Sequence, residues 1–280
     1  MTEFENKLKE YARLLEQHSP QEGINLTNVN GVFTFRASEP HQRKPEIYPS
    51  GIVIGGQGSK YCYLEGKRFN YSAGNLLTLF LSMPLTVEIT EASSDEPHLA
   101  AAIELDLSRL TNILMKIDNV EQIPVKPDTI DTSGIFSAPL KESLLDVAIR
   151  LFKILDNPSE VAVLGDAIVD EIYFRILSDE QGGTLKYLLQ QRGQVQQVSR
   201  AVEYIHRNID KQVTVEDLAR LVNMSSSGFH KKFKDVMHLS PLQYAKSIKL
   251  HAAQTFIQEG KKVTGASITV MSNRAAKFSR

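Results

Sequence analysis

The sequence predicts an α+β chain: an antiparallel β-sandwich or barrel of the jelly-roll kind with flanking helices, then an all-α module carrying a helix-turn-helix. Three observations lead there. In the first hundred residues apolar side chains recur at every second position in short runs broken by glycine and proline, the pattern of half-buried strands. From Leu107 onward the recurrence lengthens to every third or fourth position, as on the buried stripe of a helix. The charge is also divided. Residues 199–280 hold 14 Lys+Arg and 6 Asp+Glu, a net of +8, whereas residues 1–198 hold 18 and 27, a net of −9. A chain of 280 residues is long enough for two domains, and the split gives them partners of different kinds.

Element by element, "MTEFENKLKEYARLLEQ" opens as a charged amphipathic helix, without the apolar run and small-residue cleavage site of a signal peptide. "GINLTNVNGVFTFRASEP" alternates apolar and polar residues until Pro40 and Pro45 interrupt it. "SGIVIGGQGSKYCYLEGKRFNYSAGNLLTLF" reads as several short strands, with a hairpin from Lys60 to Tyr71 turning at Glu65-Gly66. Tyr61, Tyr63, Phe69 and Tyr71 are expected on one face of it. With Cys62 beside them they form a candidate ligand pocket, simple sheet packing being the other reading. "PLTVEITEASSDEPHLAAAIELD" adds two strands around a Ser-Asp-Glu-Pro turn.

"LSRLTNILMKI" then begins the helices. "PLKESLLDVAIRLFKILDN" aligns Leu140, Leu144, Val147, Leu151 and Leu155, with Pro139 suited to a first helical turn. "PSEVAVLGDAIVDEIYFRILSD" opens at Pro158-Ser159 and closes at Gly182-Gly183. This helix pair reads equally well as a packed linker or as a dimer interface. "TLKYLLQQRGQVQQVSRAVEYIHRNI" reads as a polar connector leading into another helix, which divides the chain into residues 1–190 and 191–280.

In the basic module, Thr214 is a candidate N-cap, with Glu216 and Asp217 in the first turn where carboxylates favour the helix dipole. Leu218, Leu221 and Val222 face inward, and Ala219 lets a second helix cross closely. "NMS" makes the turn, and Ser225 caps the next helix. Phe229 and Phe233, one turn apart, anchor that helix. Ser226, Ser227, His230, Lys231 and Lys234 are left exposed. A helix entering a major groove needs short side chains at its start, donors that reach base edges, and cations that meet phosphates.

The segment "VTVEDLARLVNMSSSGFHKKFKDVMHLSPLQYAKSIKLHAAQTFI" resembles the first helix-turn-helix and linker helix of the AraC/XylS family of transcription regulators. "GGQGSKYCYLEGKRFNYSAGNLL", "MPLTVEITEASSDEPHLAAAIELD" and "LFKILDNPSEVAVLGDAIVDEIYFRIL" are similar to the N-terminal domain of one AraC subgroup, so the likeness covers nearly the whole chain. It implies a cupin-like β-barrel that senses a small organic molecule. It also implies a C-terminal domain with a first helix-turn-helix at about 214–235, a linker helix at about 241–259 and a second unit at 262–280. Ser227, His230 and Lys231 then stand at positions that read bases. Arg280 does so in the second unit, and Ser225, Ser226 and Lys234 meet phosphates. The family usually carries glycine where His238 and Met271 stand. By the same likeness the sequence ends inside the second recognition helix, where Ala275, Ala276, Lys277 and Arg280 fall on the DNA face. The implied partners are promoter DNA, RNA polymerase and an effector that, by analogy with the subgroup, is an aldehyde or alcohol; a homodimer is compatible with this.

Other classes find little support. The single cysteine excludes an internal disulfide and fits a reducing cytoplasm, and no run of 18 apolar residues is present to span a membrane. His41 and His98 stand apart, with no His-x-His pair to hold a metal, so neither metal nor other cofactor is expected. "GGQG" matches neither phosphate-binding glycine motif, and "SSSG" lacks the nucleophile-elbow frame. A non-enzymatic, cytoplasmic regulator is therefore expected. A cupin-type enzyme with a vestigial helical domain and a DNA-binding-deficient interaction protein are the alternatives.

Overall fold

A computed structural model describes residues 2–120, 134–179, 183–190 and 192–258. Helix α1 (Glu3–Gln17) starts from a capping box: the Thr2 hydroxyl accepts from the Glu5 N–H, and the Glu5 carboxylate accepts from the Thr2 N–H at 2.8 Å. The strands that follow are β1 (Gly23–Leu26), β2 (Val32–Ala37), β3 (His41–Tyr48), β4 (Gly51–Gln57), β5 (Ser59–Leu64), β6 (Lys67–Asn70), β7 (Asn75–Leu79), β8 (Met83–Glu91) and β9 (His98–Glu104). After α2 (Leu107–Val120) comes β10 (Ile135–Pro139). They build two antiparallel sheets, one six-stranded in the order β1-β2-β9-β4-β7-β10 and one four-stranded in the order β3-β8-β5-β6.

Of the three prolines within these strands, Pro45 and Pro139 sit on edge strands, and Pro84 is the second residue of β8, ahead of the stretch that pairs with β5. Pro45 lies in β3. Pro139, expected in a helix, is instead the last residue of β10, opposite Asn75 of β7. Helix α3 (Glu142–Lys153) begins three residues later.

The "GGQG" stretch has a packing reason. A Cβ on Gly55 would stand 2.6 Å from the Tyr71 carbonyl, and one on Gly56 would collide with the Leu15 side chain of α1. Gly58 has φ +76°, the left-handed region that favours glycine. Helix α1 is thereby drawn onto β4, and α3 onto α1. Tyr11 meets Phe152 edge-on at 5.8 Å, and Lys7 pairs with Glu142 and Asp146 at 2.7 and 2.8 Å.

Helix α4 (Pro158–Ser178) starts with Pro158 at its first turn and Asn157 accepting from the N–H groups of Ser159 and Glu160. Arg109 ties α2 to it through Asp166 and Asp170. The stretch expected as a polar connector leading into another helix is helical in its first part too: α5 (Gly183–Gln190) precedes α6 (Arg192–Arg207). Its many Gln and Arg residues hide an apolar period: Leu185, Leu188 and Leu189 on α5, and Val195, Val198, Ala201, Val202 and Ile205 on α6, are all buried. Then come α7 (Val215–Leu221), α8 (Ser226–Met237) and α9 (Pro241–Gln258). A single apolar core runs from Tyr11 in α1 to Ala252 in α9, crossing both parts of the chain. Among the described residues no helix is long and apolar enough to cross a membrane.

Candidate functional site

Helices α7 and α8 form a compact two-helix head. Thr214 caps α7 by accepting from the Asp217 N–H at 3.1 Å, and Ser225 caps α8 by accepting from the Gly228 N–H at 3.2 Å. Between them Asn223 takes φ 55°, a left-handed turn that asparagine tolerates better than most residues. Gln197 of α6 clamps this turn by donating to the Val222 carbonyl at 3.0 Å. Phe229 and Phe233 are fully buried and meet edge-on at 5.6 Å.

With those rings fixed inward, Ser227, His230, Lys231 and Lys234 project outward on one exposed stripe of α8. Ser225 is exposed at its start, and Ser226 is half-buried. Helix α8 ends in His238, whose φ of 57° is the left-handed cap that usually calls for glycine. The expected second unit, with Arg280, lies outside the described residues.

The head is fastened to the sheets. The Gly134 N–H donates to the Val236 carbonyl of α8 at 3.0 Å. Tyr244 of α9, fully buried, donates its hydroxyl to the Ser82 carbonyl beside β8 at 2.9 Å. His206 Nε2 of α6 lies 2.8 Å from the same hydroxyl, and because that hydroxyl has given its proton to Ser82, the imidazole is the donor. Burial pulls the His206 pKa down to about 4, so the ring is neutral near pH 7. The Tyr244 ring packs on Phe233 at 5.7 Å, so one residue touches the sheet and the anchor of the exposed stripe.

The second candidate region lies between the sheets. In the β5–β6 hairpin Leu64 pairs with Lys67, Cys62 with Phe69 and Tyr61 with Asn70. Lys60, Cys62, Leu64, Phe69 and Tyr71 therefore face inward and are buried, whereas Tyr61 and Tyr63 lie on the outer face. There Arg43 stacks on Tyr63 at 3.8 Å and the Tyr63 hydroxyl donates to Glu88 at 2.7 Å. The single face expected for the four aromatic rings is thus two faces, because a two-residue turn pairs odd positions with even ones.

Sequence reasoning missed Lys60. Its Nζ lies 3.9 Å from the centre of the Phe35 ring and 5.7 and 5.6 Å from those of Tyr48 and Tyr71. The two tyrosine hydroxyls share a 2.6 Å hydrogen bond. Burial lowers the Lys60 pKa to about 8, lowers that of His98 to about 3 and pushes the Cys62 thiol up to about 12.

The sequence matches the family described as "AraC-type transcriptional regulator N-terminus" over residues 28–184. It is 24% identical over 219 residues to the lactose operon transcription activator of Staphylococcus xylosus, covering 77% of this chain and 72% of that protein. It is 29% identical over 63 residues to the bifunctional transcriptional activator/DNA repair enzyme AdaA of Bacillus subtilis, covering 22% of this chain and 30% of that one. Among solved structures, an apo ToxT variant from Vibrio cholerae aligns over 80% of this chain and 100% of its own, with TM-score 0.39 and 9% identity. The AraC-like transcriptional activator CuxR aligns over 88% and 84%, with TM-score 0.38 and 13% identity. With the family's own pattern spanning more than half of its length, the chain belongs to the AraC-type transcriptional regulators.

Proposed function

We propose that this regulator binds promoter DNA through α8, takes a small organic effector between its two sheets, and couples the two events through Tyr244. The exposed stripe of Ser227, His230, Lys231 and Lys234, held out by buried Phe229 and Phe233, carries the reading. Ser227, His230 and Lys231 are assigned to base edges. Ser225, Ser226 and Lys234 are assigned to phosphates, where each cation adds salt-sensitive affinity without sequence preference. An effector that prefers one packing of the sheets would shift the head only through groups differing between the two states, and we assign that part to the Ser82–Tyr244–His206 contact because it joins sheet and head. Recruitment of RNA polymerase and pairing of two copies belong to the same proposal. The exposed Val163, Leu164 and Phe174 on α4 favour such pairing.

The test is a mobility-shift assay on the DNA upstream of the chain's own gene. A specific complex is expected, and Lys231→Ala or His230→Ala should weaken it while the circular dichroism spectrum is unchanged. A wild-type chain that binds this DNA no better than unrelated DNA overturns the reading.

A further inference from the structure

We infer that the effector is a small organic monocarboxylate whose charged end is held by Lys60 between the two sheets, an inference that rests on the sensing role proposed above. Lys60 is 3% exposed, and among the described residues no carboxylate lies within ion-pair distance of its Nζ. The acidic side chain whose field it feels, Glu46, is held by Lys44 at 2.8 Å. A buried ammonium without a counter-ion is among the costlier arrangements in a protein, and aromatic faces compensate it only in part.

His98 supplies an independent sign. It is 0% exposed, and neither ring nitrogen reaches a partner at hydrogen-bond geometry, its approach to the Gln57 backbone being marginal. Lys60 arrives from the four-stranded sheet and His98 from the six-stranded one. Phe35 flanks both, with its ring 5.9 Å from that of His98.

The chemistry of the cluster selects the ligand. Its free polar groups are mainly donors: the ammonium, the imidazole N–H, and the one hydroxyl proton that the Tyr48–Tyr71 pair does not use internally. The Cys62 thiol, kept protonated by burial, brings no negative charge. A carboxylate offers two oxygens to these donors and supplies the missing charge, forming charge-assisted hydrogen bonds. A neutral alcohol or aldehyde accepts from one donor and leaves the ammonium uncompensated. Phe35, Tyr48 and Tyr71 provide apolar walls for the rest of the molecule, and the half-buried Phe35 and Tyr48 mark the edge at which it enters.

The experiment is calorimetric titration of the whole chain with benzoate and hexanoate. Benzaldehyde, benzyl alcohol and hexanol serve as uncharged counterparts, with thermal melting as a second readout. Lys60→Met and, as a control on the exposed neighbour, Lys44→Met are titrated alongside. The expected result is saturable binding of at least one carboxylate, with its uncharged counterpart about tenfold or more weaker, the scale of one hydrogen bond to a charged group. Lys60→Met abolishes that preference while melting at or above the wild-type temperature, and Lys44→Met keeps it. Equal binding of the uncharged compounds, or undiminished carboxylate binding by Lys60→Met, overturns the anion assignment and leaves the sensing role standing. If nothing in the panel binds, the assignment fails, and the mobility-shift assay reports separately on the regulator reading.

Discussion

Replacing Tyr244 by Phe keeps the ring between Phe233 and His206, at 5.7 and 6.0 Å, and removes one oxygen. That oxygen serves two partners, donating to the Ser82 carbonyl and accepting from His206 Nε2. The substitution leaves a carbonyl and an imidazole N–H unsatisfied in a buried place, each costing about 1–3 kcal/mol. Because the carbonyl retains a second lone pair and the imidazole can change tautomer, the combined loss should be about 2–4 kcal/mol. In a domain of this size that corresponds to a fall in Tm on the order of 5–10 °C. The assay is urea unfolding followed by far-ultraviolet circular dichroism, with differential scanning calorimetry beside it. The calorimetric transition should also broaden, since the substitution strikes one of the contacts that join the sheets to the helical head. A loss under about 0.5 kcal/mol with one sharp transition would show that the hydroxyl is no such fastening.

Four further outcomes follow from the geometry. His238→Gly relieves a left-handed φ of 57° and should stabilise the chain by about 1 kcal/mol, read as a higher calorimetric Tm; a lower one would contradict the strain. Gly56→Ala forces a methyl against Leu15 of α1 and should cost about 1–3 kcal/mol in urea unfolding. In DNA titrations at several salt concentrations, Lys234→Ala should reduce the salt slope by about one unit while preserving sequence preference, whereas His230→Ala should relax that preference. Burial lowers the pKa of His206 to about 4 and of His98 to about 3, so the unfolded chain takes up these protons first. Their contribution is complete above about pH 6.5 and declines as the pH falls through 4 and then 3, each histidine adding a slope of up to about 1.4 kcal/mol per pH unit. The urea midpoint measured from pH 7 to 4.5 checks this, and His206→Gln should flatten the curve.

The head was legible because its signals are local. Thr214 and Ser225 cap N–H groups only three residues away, and Phe229 and Phe233 are a single turn apart. The alternation of β8 was legible for the same reason. The β5–β6 hairpin was not, although its turn was. Grouping Tyr61 and Tyr63 with Phe69 and Tyr71 ignored the change of parity across Glu65-Gly66, which a register count would have caught. Lys60 escaped notice because a lysine among tyrosines reads as a solvent-facing residue, and only the register turns it inward. "GGQG" has meaning only once α1 lies on β4. Tyr244 and Ser82 are 162 residues apart, beyond the reach of any periodicity.

The fastening between sheet and head also bears on engineering. Tyr244 grips a main-chain oxygen at Ser82, an atom that every residue type supplies. A chimera carrying a foreign N-terminal domain therefore need not match that domain's side chains at this hydrogen bond. It must reproduce the path of the backbone between β7 and β8, and a graft that shifts this short bend by an ångström or two would lose the hydrogen bond that ties the helical head to it.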